Sequence, residues 1–194
     1  MNILFTSVGR RVELVQAFHH AADRLGIQLE IYGADITESA PALTFCDHTV
    51  IVPKIKEPAY IPCLQKVCAE QHIDALVPTI DTDILLLAQN REKFGSTRIT
   101  ISKPEKIALC RDKRFTADYF HSVGLNSPQP VDDWRKYDGG YPAFIKPKDG
   151  SSSIFAYKVE NEKEMESFAE QIPNYIIQSF ISGTEYAIDI FCDF

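Results

Sequence analysis

The run from Asn2 to Thr6 is apolar and short, and after the turn SVGR the residues Val12, Val15, Phe18, Ala22 and Leu25 recur at helical spacing until Gly26. That change of period predicts a strand followed by an amphipathic helix. The alternation then repeats. Leu29 to Ala34 and Thr49 to Val52 read as strands, and Ile61, Leu64 and Val67 mark a helical face. Asp74 to Pro78 reads as a strand, Ile84, Leu85 and Ala88 suit another helix, and Thr97 to Ile101 another strand. Strands alternating with helices predict a parallel sheet covered on both faces, an α/β, Rossmann-like domain over residues 1–102.

Beyond Ser102 the pattern changes. Ser102 and Glu105 have capping-box spacing with Pro104 in the first turn, and a second helical stretch, Asp112 to Val123, closes at Gly124. The segment NSPQPVDDWRKYDGG reads as loop. Strands are predicted at Ala143 to Pro147, Ile154 to Val159, Tyr175 to Phe180 and Tyr186 to Cys192, with a helix over Glu162 to Gln171 capped by Asn161. Residues 103–194 therefore read as a small α+β unit. The closing IDIFCDF still alternates as a strand at the last residue, which predicts a partner strand or further chain and leaves homo-oligomerisation open.

Composition narrows the function classes. A hydrophobic content of 45% in 194 residues suffices for packed cores. A formal charge of -7 argues against a nucleic-acid surface, so small molecules or proteins are the expected partners. With no apolar stretch of membrane-spanning length and no signal-peptide pattern at Met1, a soluble protein of the cytoplasm is expected. The five cysteines form no CxxC pair and the five histidines show no ligand spacing, so no metal is assigned to them.

Three stretches carry candidate chemistry. In TSVGRR, at the end of the first strand, Gly9 permits close backbone approach, while Ser7 and Arg10 suit an anionic substrate. The dinucleotide signature GxGxxG is missing there, and Asp35 alone is half of that fingerprint. In TIDTD, Asp81 could orient a substrate or bind an ammonium, although acids at a helix start are favoured by the macrodipole alone. In PAFIKPKDGSSSIF, Lys146 is a charge inside an apolar strand, which costs free energy unless it faces water or an anion. Gly150, Ser151, Ser152 and Ser153 follow with backbone and hydroxyl donors suited to phosphate oxygens, and a plain hairpin turn fits the same residues.

The order of Asp112-Lys113 at a helix start, FIKP with a Gly/Ser loop, and then IIQSFISGTEYAID resembles the ATP-grasp superfamily. NILFTSVGRRVELVQAF and PTIDTDILLLA resemble its pre-ATP-grasp domain, most closely that of carbamoyl-phosphate synthase large-subunit-like proteins. The resemblance implies an ATP-dependent carboxylate–amine ligase acting through an acyl phosphate, on a small carboxylate and an amine or other nucleophile. It implies that Lys113 and Lys146 neutralise ATP phosphates under the Gly150 to Ser153 loop. Phe144, Gln178, Ser179, Phe180 and Ile181 would line the adenine pocket, and Glu185 would bond the ribose. The chain departs from the family pattern at Ser179, where a glutamate is usual, and at Ser152 and Phe155, where glycines are usual. The family's Mg2+ ligands are expected beyond Phe194, so the 194-residue chain is expected to be inert by itself. The rival class is a non-catalytic Rossmann-like module that senses a small anion through Ser7, Gly9 and Arg10.

Overall fold

The computed structural model describes residues 1–150, 153–188 and 190, so the predicted site residues Ser151 and Ser152 lie outside the described residues. The chain divides into two compact units, Met1–Ala108 and the residues from Leu109 onward. No helix among the described residues is long and apolar enough to cross a membrane.

The first unit runs β1 (Asn2–Thr6), α1 (Val12–Leu25), β2 (Glu30–Asp35), β3 (His48–Ile51), α2 (Tyr60–Glu70), β4 (Ala75–Pro78), α3 (Asp81–Gln89) and β5 (Arg98–Ile99). Its five strands pair in parallel in the order β3-β2-β1-β4-β5. The strand order reverses between β1 and β4, and the crevice beyond their carboxyl ends is where such sheets hold ligands.

Alternation along β1 explains why its apolar run is unbroken. Ile3 and Phe5 enter one core with Val15, Ile31 and Leu43, whereas Leu4 enters the other with Tyr60, Leu64, Leu76 and Leu87. The first core belongs to α1, whose Phe18 meets Phe5 edge-on at 5.0 Å between ring centroids. The second belongs to α2 and α3. Thr6 shares the parity of Leu4 and so faces α2 and α3.

Gly33 in β2 has a packing role. A Cβ there would lie 2.6 Å from Cys46 Sγ and 2.9 Å from Leu43 Cδ2, so the 3-10 turn Pro41–Phe45 rests directly on the strand. Cys46 donates from Sγ to the Ala42 carbonyl at 3.3 Å, and burial pushes its thiol up to about 11.

The second unit holds α5 (Lys113–Ser122), following α4 (Pro104–Arg111), then β6 (Ala143–Pro147), β7 (Tyr157–Val159), α6 (Glu162–Gln171) and β8 (Tyr175–Ser179). Its sheet is antiparallel in the order β7-β6-β8. Asp112 caps α5 by accepting from Arg114 N at 2.9 Å, and Asn161 caps α6 by accepting from Glu164 N at 3.0 Å. Ala143, Ile145, Val159 and Ile177 point to one face and pack against Met165 of α6.

Two predicted strands differ. The strand expected from Ile154 begins only at Tyr157, because residues 153–155 form a turn in which Ser153 (φ 56°) and Phe155 (φ 57°) are left-handed. Of the strand expected from Tyr186 to Cys192, residues 186–188 form none, Asp189, Phe191 and Cys192 lie outside the described residues, and Ile181, Tyr186, Ile188 and Ile190 are exposed.

Candidate functional site

In the second unit the site grows from the face of the sheet opposite α6. Phe144 stands directly across from Gln178 on β8 and Lys158 on β7, and Lys146 across from Ile176. Residues directly opposite in an antiparallel pair share a face, as do residues two apart on one strand. Phe144, Lys146, Gln178 and Lys158 therefore form one surface.

The Lys146 ammonium lies 5.5 Å from the Phe144 ring centroid. Burial, with the Lys113 charge adding to it, holds the Lys146 pKa below the ordinary lysine value. Lys113 enters from the start of α5, where its backbone N–H donates to the Lys148 carbonyl at 2.9 Å. Its ammonium donates to the Gly150 carbonyl at 2.7 Å and the Lys148 carbonyl at 3.3 Å. Burial also lowers the Lys113 pKa, against the opposing pull of Asp149 and Asp112. Lys113 is thus tied to the backbone at the stem of the β6–β7 turn, where β6, the strand that carries Lys146, ends.

Gln178 donates its amide to the Pro128 carbonyl. Phe180 lies beneath the Lys158 ammonium at 4.9 Å, and Lys158 also pairs with Glu160 at 2.7 Å. Ser179 pairs with Ala143 at the end of β8, and Ile181 and Glu185 are exposed beyond it. Among the described residues, no hydrogen bond or ion pair joins Glu185 to the lysines. Lys158 was not legible as a site residue, since only the strand register places it opposite Phe144.

The first unit organises its strand-end crevice differently. Gly9 (φ 48°) donates its N–H to Asp35 Oδ2 at 2.9 Å, and Ile36 N–H takes Oδ1 at 2.8 Å. The position that an anion would occupy on this turn is filled by the chain's own carboxylate. Ser7 (φ 53°) is anchored through its carbonyl, which accepts from Thr79 Oγ1 at 2.6 Å, and Arg10 is exposed.

Asp81 is exposed in the first turn of α3, whereas Asp83 is buried. Asp83 Oδ2 accepts from Thr6 Oγ1 at 2.7 Å and Tyr60 Oη at 2.9 Å, while Oδ1 has no hydrogen-bond partner. Burial raises the Asp83 pKa despite those hydrogen bonds, and burial beside Asp83 raises that of Tyr60. A groove of about 640 Å³ between α2 and α3 is lined in part by Ile55, Ile61, Leu86 and Lys93. None of Ser7, Gly9, Arg10 or Asp81 lines it.

Among the described residues no three of His, Cys, Asp and Glu converge as a metal site. The described residues therefore do not assemble a Mg2+ site.

Residues 3–102 match the PylC-like N-terminal domain and residues 110–194 the ATP-grasp domain. The 3-methyl-D-ornithine–L-lysine ligase of Methanosarcina acetivorans is 24% identical over 181 residues, covering 92% of this chain and 46% of the relative. The D-alanine–D-alanine ligase B of Clostridium perfringens is 28% identical over 96 residues, 43% of this chain and 32% of the relative. The chain thus spans less than half the length of these curated relatives. Among solved structures, an L-amino acid ligase from Bacillus licheniformis superposes with a TM-score of 0.72 at 18% identity, over 94% of this chain and 44% of that one. A biotin carboxylase from Campylobacter jejuni superposes at 0.71 and 16% identity, over 93% of this chain and 45% of that one. Those likenesses show the fold. With its first hundred residues matched to one domain and the rest to the other, the chain belongs to the ATP-grasp proteins that carry a PylC-like N-terminal domain.

Proposed function

We propose that the chain is the nucleotide-binding portion of an ATP-dependent ligase that joins a carboxylate to an amine through an acyl phosphate. The observation that carries this reading is Lys146 on a surface shared with Phe144, with Lys113 held by hydrogen bonds to the backbone at the end of the same strand. A cation beside an aromatic ring, with a second lysine at the end of the strand, offers a polyphosphate its countercharge and a nucleobase its stacking partner. The lysines, Phe144, Gln178 and the backbone at Phe180 and Ile181 would hold ATP, with Ser179 beside them and Glu185 toward the ribose. Gly150, Ser151, Ser152 and Ser153 would lie over the phosphates. In phosphoryl transfer the protein's contribution is mostly positioning and charge neutralisation, which is what these groups supply.

The names of the curated relatives place an amino acid on each side of the bond formed. An amino-acid carboxylate and an amino-acid amine are therefore the substrate class we favour, with Ser7, Arg10 and Asp81 of the first unit as candidate substrate contacts and Gly9 set aside because its N–H already serves Asp35. The likeness of NILFTSVGRRVELVQAF to carbamoyl-phosphate synthases concerns fold and carries no substrate. A small-anion sensor is less favoured, because Asp35 already takes the Gly9 N–H that such an anion would need.

Calorimetry with ATP and Mg2+ on the full-length protein tests the reading. Binding is expected, and Lys146→Ala should weaken it by at least about tenfold, the size of a lost charge-assisted contact of roughly 1.5–3 kcal/mol. Equal affinity in the variant would remove Lys146 from the site. The 194-residue chain alone is expected to show no ATP turnover, and a steady release of ADP from the purified chain would contradict that.

A further inference from the structure

The groove of about 640 Å³ between α2 and α3 lies apart from the nucleotide surface, and its size suits a small ligand. Its floor is apolar. Ile61 belongs to the core beneath α2 and α3, and Ile55 and Leu86 pack against that core from outside. Thr82, Leu86 and Asn90 recur about one turn apart along α3 and its cap, so they share the face that lines the groove. Two amides border this floor. Gln65 donates from Nε2 to the Lys93 carbonyl at 3.3 Å, and Asn90 donates from Nδ2 to the Leu86 carbonyl at 2.8 Å. Each amide is thereby held with its oxygen left to accept, and no donor among the described residues takes either oxygen. Lys56 and Lys93 line the same groove, and neither ammonium pairs with a carboxylate among the described residues. Glu57 stands against them, so the lining keeps a positive balance.

We propose that this groove binds short apolar peptides that carry a free carboxylate. Apolar side chains would cover Ile55, Ile61 and Leu86, peptide N–H groups would meet the oxygens of Gln65 and Asn90, and the carboxylate would lie toward Lys56 and Lys93. From Thr82 to Asn90 the lining measures about 12 Å at 1.5 Å per residue, the length of roughly three or four extended residues. A plain fatty acid would fill the floor but leave both amide oxygens without donors, which costs free energy once water is displaced. An internal segment of a protein would meet the amides but bring no charge for the lysines. A peptide with a free carboxylate is also the product class of the ligase proposed above. That link rests on the function proposed there; the binding itself does not.

The test is a titration of N-acetyl-leucyl-leucine into the 194-residue chain, read by NMR at labelled Ile and Leu methyl groups. Saturable shifts are expected at Ile55, Ile61 and Leu86, with a Kd of about 1 mM or tighter. The C-terminal amide of the same peptide should bind about fivefold more weakly, as the loss of exposed ion pairs gives. In a Lys56→Gln/Lys93→Gln chain, which alters only exposed side chains, the acid and the amide should bind alike. Octanoate should bind the parent chain more weakly than the peptide acid. No saturable shift at those methyls, or an amide that binds the parent chain as tightly as the acid, overturns the proposal. Octanoate binding as tightly as the peptide acid overturns it too, and makes the groove a fatty-acid site. A preference for acid over amide that survives in the double variant removes the lysines from the site and the proposal with them. Failure of ATP to bind would leave each of these readouts unchanged.

Discussion

At the scale of residues, Asp83 shows how a buried acid reports on pH. Thr6 and Tyr60 both donate to Oδ2, leaving Oδ1 without a partner, so burial outweighs the hydrogen bonds and the folded-state pKa rises above the ordinary 3.8. The folded state then binds more protons than the unfolded state between those two values. Stability from this group is complete below pH 3.8 and is lost as pH climbs through the raised value. Asp83→Asn should remove that dependence: relative to the variant, the native chain should lose melting temperature as pH rises above 3.8. Parallel melting profiles for the two proteins would show that Asp83 does not titrate in that window. Asp81 was the acid singled out from the sequence, and the choice between the two was not legible. Ile84, Leu85, Leu86 and Leu87 are apolar all round the helix, so the phase that buries Asp83 above Leu87 has no polar face to mark it.

Elements were more legible than side-chain roles. The parallel sheet, the helices on it and the cap Asn161 follow from periodicity and local hydrogen bonding, which the sequence carries directly, whereas Asp112, read as the first residue of its helix, is the cap. The 3-10 turn Pro41–Phe45 was missed, having neither period. The late start of β7 was missed because Ser153 and Phe155 adopt left-handed backbone where glycine is the comfortable residue, at roughly 1–2 kcal/mol for each L-residue so placed. Packing between elements was invisible to periodicity, and Gly33 is the sharpest case. Gly33→Ala should destabilise the chain by about 1–3 kcal/mol in a denaturant titration, because the new methyl overlaps Cys46 and Leu43. Adding Cys46→Ala should recover much of the loss, since the two sites are coupled through one contact. A single variant as stable as the parent would mean that the turn yields freely.

For the whole molecule, the two units each have their own hydrophobic clusters. A chain ending at Arg111 retains every strand of the parallel sheet and all of α4, and should melt in one cooperative transition by circular dichroism. A gradual, non-cooperative loss of signal would show that the first unit depends on the second. The close rest of Cys46 against Gly33 has a use at this scale. Its thiol, pushed up to about 11, is almost wholly protonated at pH 8, and only the thiolate attacks a disulfide reagent. Reaction then waits until the turn lifts from β2, so the labelling rate of Cys46, resolved from exposed Cys110 by peptide mapping, becomes a clock for how often the turn opens from the face of the parallel sheet.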